Sequence, residues 1–405
     1  MLSKILGYIF ILCSIIAHST STSSISGHHL RDEGEQSISI NSIIPESQSA
    51  GRESSPYHVF RETAAGLSSR TDIIKKNRVS PDHIHEVIFA IQQKNVDLLT
   101  SILHDISDPE SENYGEHRTR EEIDAISDNP TAHKALLNYL HISGVAVIEQ
   151  SLSREFITVQ APISFWEKEL NTEFYVFHHT DSSETVKKVA RAEHYSVPRE
   201  LHEHVAAVFH TVQMPMAIWS SPVRRPVNSQ VRNNSNIHAK AVTGFVTPTL
   251  LNKYYVIKDN SGSLKSTQAA FETIGQYFSP KDLVTFQQRY GITLQPVSTF
   301  IGGHVDDNVC INDPESCTES NLDIQYLMAT CRNAPTTHLY TDSNSFANWL
   351  LTVANLANPP LVLSISYGAT EDTVTASEFD AFNVQAIKLG MMGISIFAAS
   401  GGTLL

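Results

Sequence analysis

The sequence predicts a protein of two folded parts, an α+β part followed by an α/β part with a parallel sheet. Between residues 81 and 215, short strand patterns rich in β-branched and aromatic residues alternate with helical patterns whose apolar residues are three and four positions apart. From residue 243 onwards, short apolar strands alternate with amphipathic helices, which is typical of a parallel sheet covered by helices on both faces. A length of 405 residues and a hydrophobic content of 41% are sufficient for two cores.

The first 80 residues are predicted to lie outside these two parts. Residues 1–20 have the pattern of a secretory signal peptide, because Lys4 precedes a short apolar run and a Ser/Thr-rich tract follows. Residues 21–80 are rich in Ser, poor in aromatic residues and without sustained periodicity, so we expect a disordered segment. A net charge of −14 at pH 7 argues against nucleic acid or a membrane surface as the main partner.

The α+β part is predicted over residues 81–215. Its predicted strands cover residues 85–91, 145–150, 155–160, 173–179 and 189–195, the last two forming a hairpin. Helices are predicted between the first two strands, where Thr119 and Glu122 form a capping box, after the third strand, and again from Pro198. The order β-α-β-β-α-β is that of the split βαβ motif, so we expect a ferredoxin-like fold.

Residues 216–242 are predicted to be an exposed linker, because they combine prolines with polar and charged residues. Asn233 begins an Asn-Asn-Ser sequon and is a candidate glycosylation site in a secreted chain, although such a sequon can also stay unused. Exposed linkers are also where proteolysis concentrates, so we expect a processing site here.

The α/β part is predicted over residues 243–405. Thr247 before Pro248, and Ser279 before Pro280, are signals for the start of a helix. Strands are predicted at residues 297–301, 337–341, 361–366 and 394–398. The helices that alternate with them are predicted at residues 319–331, 346–356 and 377–389.

Four cysteines are spread unevenly along the chain. Cys13 lies in the predicted signal peptide and would be removed with it. Cys310 and Cys317 enclose a short polar loop and could form a disulfide in an oxidising compartment. Cys331 then lacks a partner and is either a buried free thiol or a cysteine whose partner is missing.

The sequence Glu-Ser-Asn-Leu-Asp at positions 319–323 is the main candidate for a functional site. Glu319 and Asp323 are four residues apart and share one face of the predicted helix. Two acids so placed on a surface helix repel each other, whereas a site with one carboxylate as a base and a second to orient it would use the pair. In open parallel sheets, functional residues gather at the carboxyl ends of strands and the following helix starts, which favours the second interpretation.

Several motifs, in order along residues 81–401, resemble the serine-carboxyl peptidases of the sedolisin family, and the lysosomal tripeptidyl-peptidase branch in particular. They are Glu-Ser-Asn-Leu-Asp at 319–323, Ser-Ile-Ser-Tyr-Gly at 364–368, Phe-Ala-Ala-Ser-Gly at 397–401 and Ser-Asp-Pro-Glu-Ser-Glu-Asn-Tyr-Gly at 107–115. The resemblance implies a subtilisin-like α/β domain preceded by a propeptide, here residues 81–215, that acts as an intramolecular inhibitor or chaperone.

The resemblance also implies roles for individual residues and a serine-type peptidase activity on peptides or unfolded proteins. Glu319 would be the general base of a Ser-Glu-Asp triad, and Asp323 would orient it. Ser366 and Gly368 would bind the backbone of an extended peptide substrate. A carboxylate with an ordinary pKa near ~4.3 stays ionised in acid, whereas histidine, near ~6.5, is protonated, which fits a lysosomal or acidic extracellular location.

This sequence departs from the family pattern in two ways. The oxyanion-hole Asp should follow the Ser-Gly at 400–401, where this chain has Gly402, and the nucleophilic Ser belongs to a Ser-Gly-Thr-Ser motif further along. We therefore expect the sequence to cover the amino-terminal half of the peptidase domain, without the family's calcium site or a cofactor, and to be inactive as written. The alternative is a non-catalytic inhibitor or chaperone of a full-length relative. The resemblance to the tripeptidyl-peptidase branch favours the release of tripeptides, and endopeptidase action is the other possibility.

Histidine is concentrated in the predicted propeptide, where residues 81–215 hold twelve of the 19 histidines. These residues are either ordinary solvated surface or the groups whose protonation near pH 6 loosens the propeptide in acid.

Overall fold

The computed structural model describes residues 56–179, 188–215, 246–341 and 345–399. The predicted signal peptide and the linker with Asn233 lie outside these residues. Within the described ranges, no helix is both long enough and apolar enough to cross a membrane.

The described part of the amino-terminal half is a mixed α/β structure with antiparallel sheets. Its strands are β1 (His58–Thr63), β2 (Ile73–Arg78), β3 (Ile84–Ile91), β4 (Val147–Gln150), β5 (Phe156–Pro162), β6 (Phe174–His179), β7 (Lys188–Ala192), β8 (His194–Pro198) and β9 (Val205–Phe209). Its helices are α1 (Val96–Ser107), α2 (Arg120–Ser127), α3 (Pro130–Ile142) and α4 (Ile163–Glu169). Thr119 and Glu122 form the predicted capping box at the start of α2.

The main sheet of this half has four antiparallel strands in the order β4-β5-β3-β9. Val87 of β3 pairs with Val159 of β5, and both side chains are fully buried. Leu136 of α3 and Trp166 of α4 belong to the same core, so the helices cover one face of the sheet. Trp166 also donates its indole N–H to the His85 carbonyl at 2.9 Å, which satisfies its polar group inside the core.

Three parts of this half differ from the sequence-based expectation. The predicted hairpin is confirmed as β6 and β7, but it forms a separate sheet with β2. The helix expected after Pro198 is wrong: only a short 3₁₀ turn follows, and Val205–Phe209 is the strand β9 at the edge of the main sheet. β1 and β2 lie in the segment that we expected to be disordered, so that expectation does not hold from residue 56 onwards.

The second half contains a five-stranded parallel sheet in the order β11-β12-β10-β13-β14. Its strands are β10 (Gln268–Glu272), β11 (Thr299–Ile301), β12 (Thr336–Tyr340), β13 (Val362–Ile365) and β14 (Ser395–Ala398). Its helices are α5 (Pro248–Tyr254), α6 (Pro280–Tyr290), α7 (Asp307–Asn312), α8 (Thr318–Thr330), α9 (Phe346–Ala354) and α10 (Ala376–Met391). The central strand β10 and the short helix α7 were not predicted.

Helices cover both faces of the parallel sheet, as predicted. Ala270 of β10 faces α6 and α8, in a core that includes Leu283 and Ile324. Phe271, one residue further along the strand, faces α9 and α10, in a core that includes Trp349 and Leu389. Successive residues of a strand point to opposite faces, so the helices α8 and α10 lie on opposite sides of the sheet.

The amino-terminal half packs against α9 and α10. Lys388 of α10 forms a buried ion pair with Glu155, and Gln385 donates to the second oxygen of the same carboxylate at 2.6 Å. Glu62 of β1 accepts hydrogen bonds from the backbone N–H and the hydroxyl of Ser377 at the start of α10. Apolar contacts complete the interface, where Leu351 packs against a buried cluster that includes Phe156 and Phe209.

Candidate active site

The start of α8 is held by contacts on several sides. A disulfide joins Cys310 of α7 to Cys317, which is the residue before the helix. The backbone N–H of Glu319 donates to Gln276 Oε1 at 3.1 Å, and Asn321 bridges to the start of α6 by accepting from Ser279 N–H and donating to Asp282. The first turn of α8 is therefore fixed relative to β10 and α6.

Glu319 and Asp323 lie together on the inner face of α8, as the spacing predicts. Glu319 is only 5% exposed, which is unusual for a side chain that carries a charge when it is in water. Burial, with a smaller contribution from the charge of Asp323, raises the pKa of Glu319 to about 7. Burial also raises the pKa of Asp323 to about 6, which a hydrogen bond from Ser366 partly offsets. A surface pair of acids would be exposed, so the structure excludes the interpretation as solvated side chains.

A third carboxyl group, Glu272, lies next to this pair and was missed in the sequence. It is the last residue of β10 and is fully buried, and burial, followed by the charge of Asp323, raises its pKa well above the usual range. The hydroxyl of Tyr367 donates to Glu272 Oε2 at 2.9 Å. Only a prediction of β10 as the central strand, ending in an acid, would have indicated this residue.

The three carboxyl groups form a cluster that holds protons at neutral pH. Because three negative charges in one buried site repel each other, the groups titrate as a coupled set and retain protons above their ordinary pKa values. This corrects the argument that Glu319 stays ionised in acid by having an ordinary pKa. In this environment, ionisation of Glu319 in acid requires a hydrogen-bond donor that stabilises its carboxylate.

Ser366 and Gly368 follow the carboxyl end of β13, close to the cluster. β13 is paired on both sides, with β10 and β14, and Ser366 and Gly368 lie beyond its last residue, Ile365. Ser366 hydrogen-bonds to Asp323, and Gly368 borders open space, since a Cβ atom there would meet no other atom within 4 Å. The structure thus brings Ser366 to the carboxyl cluster and leaves room for a ligand at Gly368.

The structure also describes three cysteines and the arrangement of the side chains that could bind a metal ion. Cys310 and Cys317 form a disulfide, and Cys331 is a partly exposed free thiol. Within the residues that the structure describes, no group of three or more His, Cys, Asp or Glu side chains is arranged to hold a metal ion, so no candidate ligand set for the family's calcium is found there.

Comparison with known proteins finds one matching family model and several similar proteins. Residues 71–214 match the family model "Pro-kumamolisin, activation domain". The chain is 26% identical over 342 residues to tripeptidyl-peptidase 1 from Homo sapiens, covering 81% of this chain and 58% of that protein. The protein of that name from Mus musculus is 28% identical over 344 residues, covering 82% and 58%.

The chain is also similar to a protein named physarolisin. Physarolisin from Physarum polycephalum is 26% identical over 347 residues, covering 82% of this chain and 56% of that protein. The chain thus spans 58% or less of the length of these relatives. The matched propeptide family, together with relatives that extend through the carboxyl cluster, agrees with the motifs in the sequence. These similarities agree with the resemblance of the sequence motifs to the sedolisin family of serine-carboxyl peptidases.

Proposed function

We propose that this chain is the precursor form of a serine-type peptidase that acts in acid, with Glu319 as general base and Asp323 as its orienting partner. The observation that carries the proposal is that Glu319 is buried and Asp323 is half-buried, with one carboxyl oxygen inaccessible, on one face of α8. Carboxyl groups whose pKa values are strongly raised by burial and by a neighbouring charge are frequent at catalytic sites, which supports the proposal.

The chemistry of the proposal is acyl transfer. Glu319 would remove the proton from a serine hydroxyl as that oxygen attacks the peptide carbonyl, and would return it to the leaving amine. The serine hydroxyl, while it donates to Glu319, would stabilise the ionised form and lower the raised pKa. Neither this serine nor the oxyanion-hole Asp is assigned within residues 1–405, so both are part of the proposal.

The proposed substrate is an extended peptide whose backbone lies along residues 366–368. Gly368 supports this because the space beside it is open, and Ser366 supports it because it links that segment to Asp323. Release of tripeptides from free amino termini is the favoured specificity, since the relatives from Homo sapiens and Mus musculus are named tripeptidyl-peptidase 1. A lysosomal or extracellular location in acid fits this activity.

The amino-terminal half is proposed to be an inhibitory propeptide with a ferredoxin-like fold, ahead of a subtilisin-like domain. Its strand order β4-β5-β3-β9, with helices on one face, supports the first assignment. The parallel sheet with helices on both faces supports the second. The buried contact of Glu155 with Lys388 and Gln385 supports a propeptide that binds tightly to the peptidase part.

A second candidate function is a non-catalytic protein that inhibits or chaperones a full-length relative. It is favoured by the separate core of the amino-terminal half, which buries Trp166, Tyr195 and many aliphatic side chains without help from the second half. Such a unit could fold alone and bind the equivalent of α9 and α10 on another molecule.

One experiment separates the two functions. The transcript is sequenced through codon 405, and the encoded product is expressed, acidified and assayed for release of tripeptides from a peptide with a free amino terminus. Activity that is lost in Glu319→Gln and retained in Glu371→Gln, an exposed matched control, supports the peptidase. A product with no acid peptidase activity that inhibits a purified tripeptidyl-peptidase would overturn it in favour of the second function.

A further inference from the structure

Residues 56–67, called here the amino-terminal segment, contact both halves of the chain. They precede residues 71–214, the range that matches the propeptide family model. Within the segment, β1 pairs antiparallel with β8 of the propeptide, where Val59 lies opposite Val197. Ala64 is buried in the propeptide core. The segment is therefore anchored to the propeptide by a strand pairing and by a core side chain.

The segment reaches the peptidase part through Glu62. One carboxyl oxygen of Glu62 accepts from the backbone N–H of Ser377 at 2.9 Å, and the other accepts from the Ser377 hydroxyl at 2.7 Å. Both oxygens of the carboxyl group are thus hydrogen-bonded to one residue at the start of α10. A negative charge at this end of a helix is also stabilised by the helix dipole.

The cap of α10 explains why an acceptor from outside the helix is needed. Thr375 and Glu378 form a capping box, in which each side chain accepts from the backbone N–H of the other residue. Ser377 lies between them in the first turn, where a backbone N–H has no carbonyl partner within the helix. Glu62 supplies the acceptor for that N–H, so the amino-terminal segment completes the cap.

A second contact lies four residues further along the segment, at Gly66. Its backbone has φ +57°, and a Cβ atom there would overlap the backbone oxygen of Asp372. The two backbones can approach so closely because glycine has no side chain. Asp372 belongs to the 3₁₀ turn Glu371–Thr373, which lies just before α10. Both contacts therefore fall within residues 371–377.

We propose that the amino-terminal segment is a clamp that docks the propeptide onto residues 371–377, through the Glu62 carboxyl group and the backbone at Gly66. The partner that this surface fits is an acidic side chain on a strand, followed four residues later by a glycine. The clamp acts in addition to the ion pair of Lys388 and lies outside the matched propeptide range. The inference rests on the proposed role of the amino-terminal half as a propeptide.

Amide hydrogen exchange of the full chain at pH 7 tests the clamp. The measurement needs no turnover, so the clamp can fail while the peptidase proposal holds, and the reverse. Glu62→Ala should speed exchange of the Ser377 N–H by about tenfold or more, because a hydrogen bond to a charged group is lost and local opening becomes easier. Gly66→Ala should speed exchange across residues 371–377, because the added methyl group displaces the turn at Asp372.

Two matched variants serve as controls. Glu110→Ala removes an exposed acid of the propeptide. Gly144→Ala adds a methyl group at another glycine with positive φ, +72°, where a Cβ atom would meet no other atom within 4 Å. Both should leave exchange in residues 371–377 as in the wild type.

Exchange in β3 and β5 reports whether each variant keeps the propeptide folded. Unchanged exchange of the Ser377 N–H in folded Glu62→Ala would overturn the clamp. So would equal acceleration in residues 371–377 by Gly66→Ala and Gly144→Ala, because backbone strain alone would then be the cause. If Gly66→Ala does not fold, the comparison of Glu62→Ala with Glu110→Ala decides.

Discussion

Lys388 of α10 and Glu155 of the propeptide form an ion pair in which both side chains are less than 10% exposed. Lys388 also donates to Gln93 at 2.9 Å, and Gln385 donates to Glu155, so both charges are paired inside the interface. A buried charge that loses its partner is strongly destabilising, whereas the intact pair is close to neutral relative to apolar residues.

The first prediction follows from this asymmetry. Lys388→Met should lower the free energy of unfolding by about 3–5 kcal/mol, because Glu155 is left buried without its cation. The double variant Lys388→Met with Glu155→Gln should recover part of that loss. Urea unfolding at neutral pH measures both.

A surface pair provides the matched control. Lys281 lies 3.3 Å from Asp307, with the lysine side chain 71% exposed, and Lys281→Met should cost below about 1 kcal/mol. Equal losses for Lys388→Met and Lys281→Met would contradict a role for the buried pair.

The second prediction concerns His210, at the contact between the two halves. Its Nε2 lies 3.3 Å from Asn348 Nδ2 of α9, and Glu86 is 3.6 Å from its Nδ1. Burial, followed by the charges of Arg191 and His85, lowers the pKa of His210 to about 3. A histidine with a lowered pKa stabilises the folded chain above its unfolded pKa near ~6.5, and this stability is lost as the pH falls towards 3.

His210→Gln should therefore make stability less dependent on pH between 7 and 4.5. The wild-type chain should lose on the order of 2 kcal/mol more than the variant over this range. Unfolding curves at several pH values measure the difference, and His141→Gln, at an exposed histidine, is the control. Parallel pH profiles for wild type and His210→Gln would rule out His210 as the acid-sensitive group.

The third prediction concerns the coupling between Glu319 and Asp323. Asp323→Asn keeps the shape of the side chain and removes its charge, so the pKa of Glu319 should fall from about 7 and yet stay above its ordinary value, since burial is the larger cause. Carboxyl ¹³C titration measures the shift. If Glu319 titrates as in the wild type, the two groups do not interact through their charges.

The fourth prediction concerns Glu272 and has the opposite sign from that of His210. A carboxyl group whose pKa is raised on folding stabilises the chain below its unfolded pKa, and this contribution is lost as the pH rises. Glu272→Gln should therefore lose less stability than the wild type between pH 5 and 8, with a difference of up to ~1.4 kcal/mol for each pH unit. Glu371→Gln, at an exposed acid, should follow the wild type, and a Glu272→Gln profile that does the same would contradict the prediction.

The parts of the fold that the sequence predicted correctly have strong local signals. α5 and α6 each begin with Pro after a Thr or Ser cap, and both start where predicted, at Pro248 and Pro280. The apolar runs of β12, β13 and β14 are also recognisable. Glu319 and Asp323 were found because their spacing alone places them on one face of a helix.

The missed elements depend on contacts made far along the chain. β10 reads Gln-Ala-Ala-Phe-Glu, with no β-branched residue and a polar residue at each end, and it is a strand because β12 and β13 pair on its two sides. β9 contains two alanines and follows Pro198, where the sequence predicts the start of a helix, but pairing with β3 determines its conformation. Glu272 has no regular sequence spacing from Glu319 and Asp323, and only the packing of α8 on β10 brings the three carboxyl groups together.

Because α8 and α10 lie on opposite sides of the parallel sheet, substitutions on the two sides should have independent effects. Substitutions at His210 or Lys388 act on the α9 and α10 side, and those at Glu272 or Asp323 act on the α8 side, with no shared partner. Free-energy changes at distant sites without shared partners are additive. The strength of propeptide binding and the acidity of the carboxyl cluster can therefore be altered independently, by selection or by design, within one sheet.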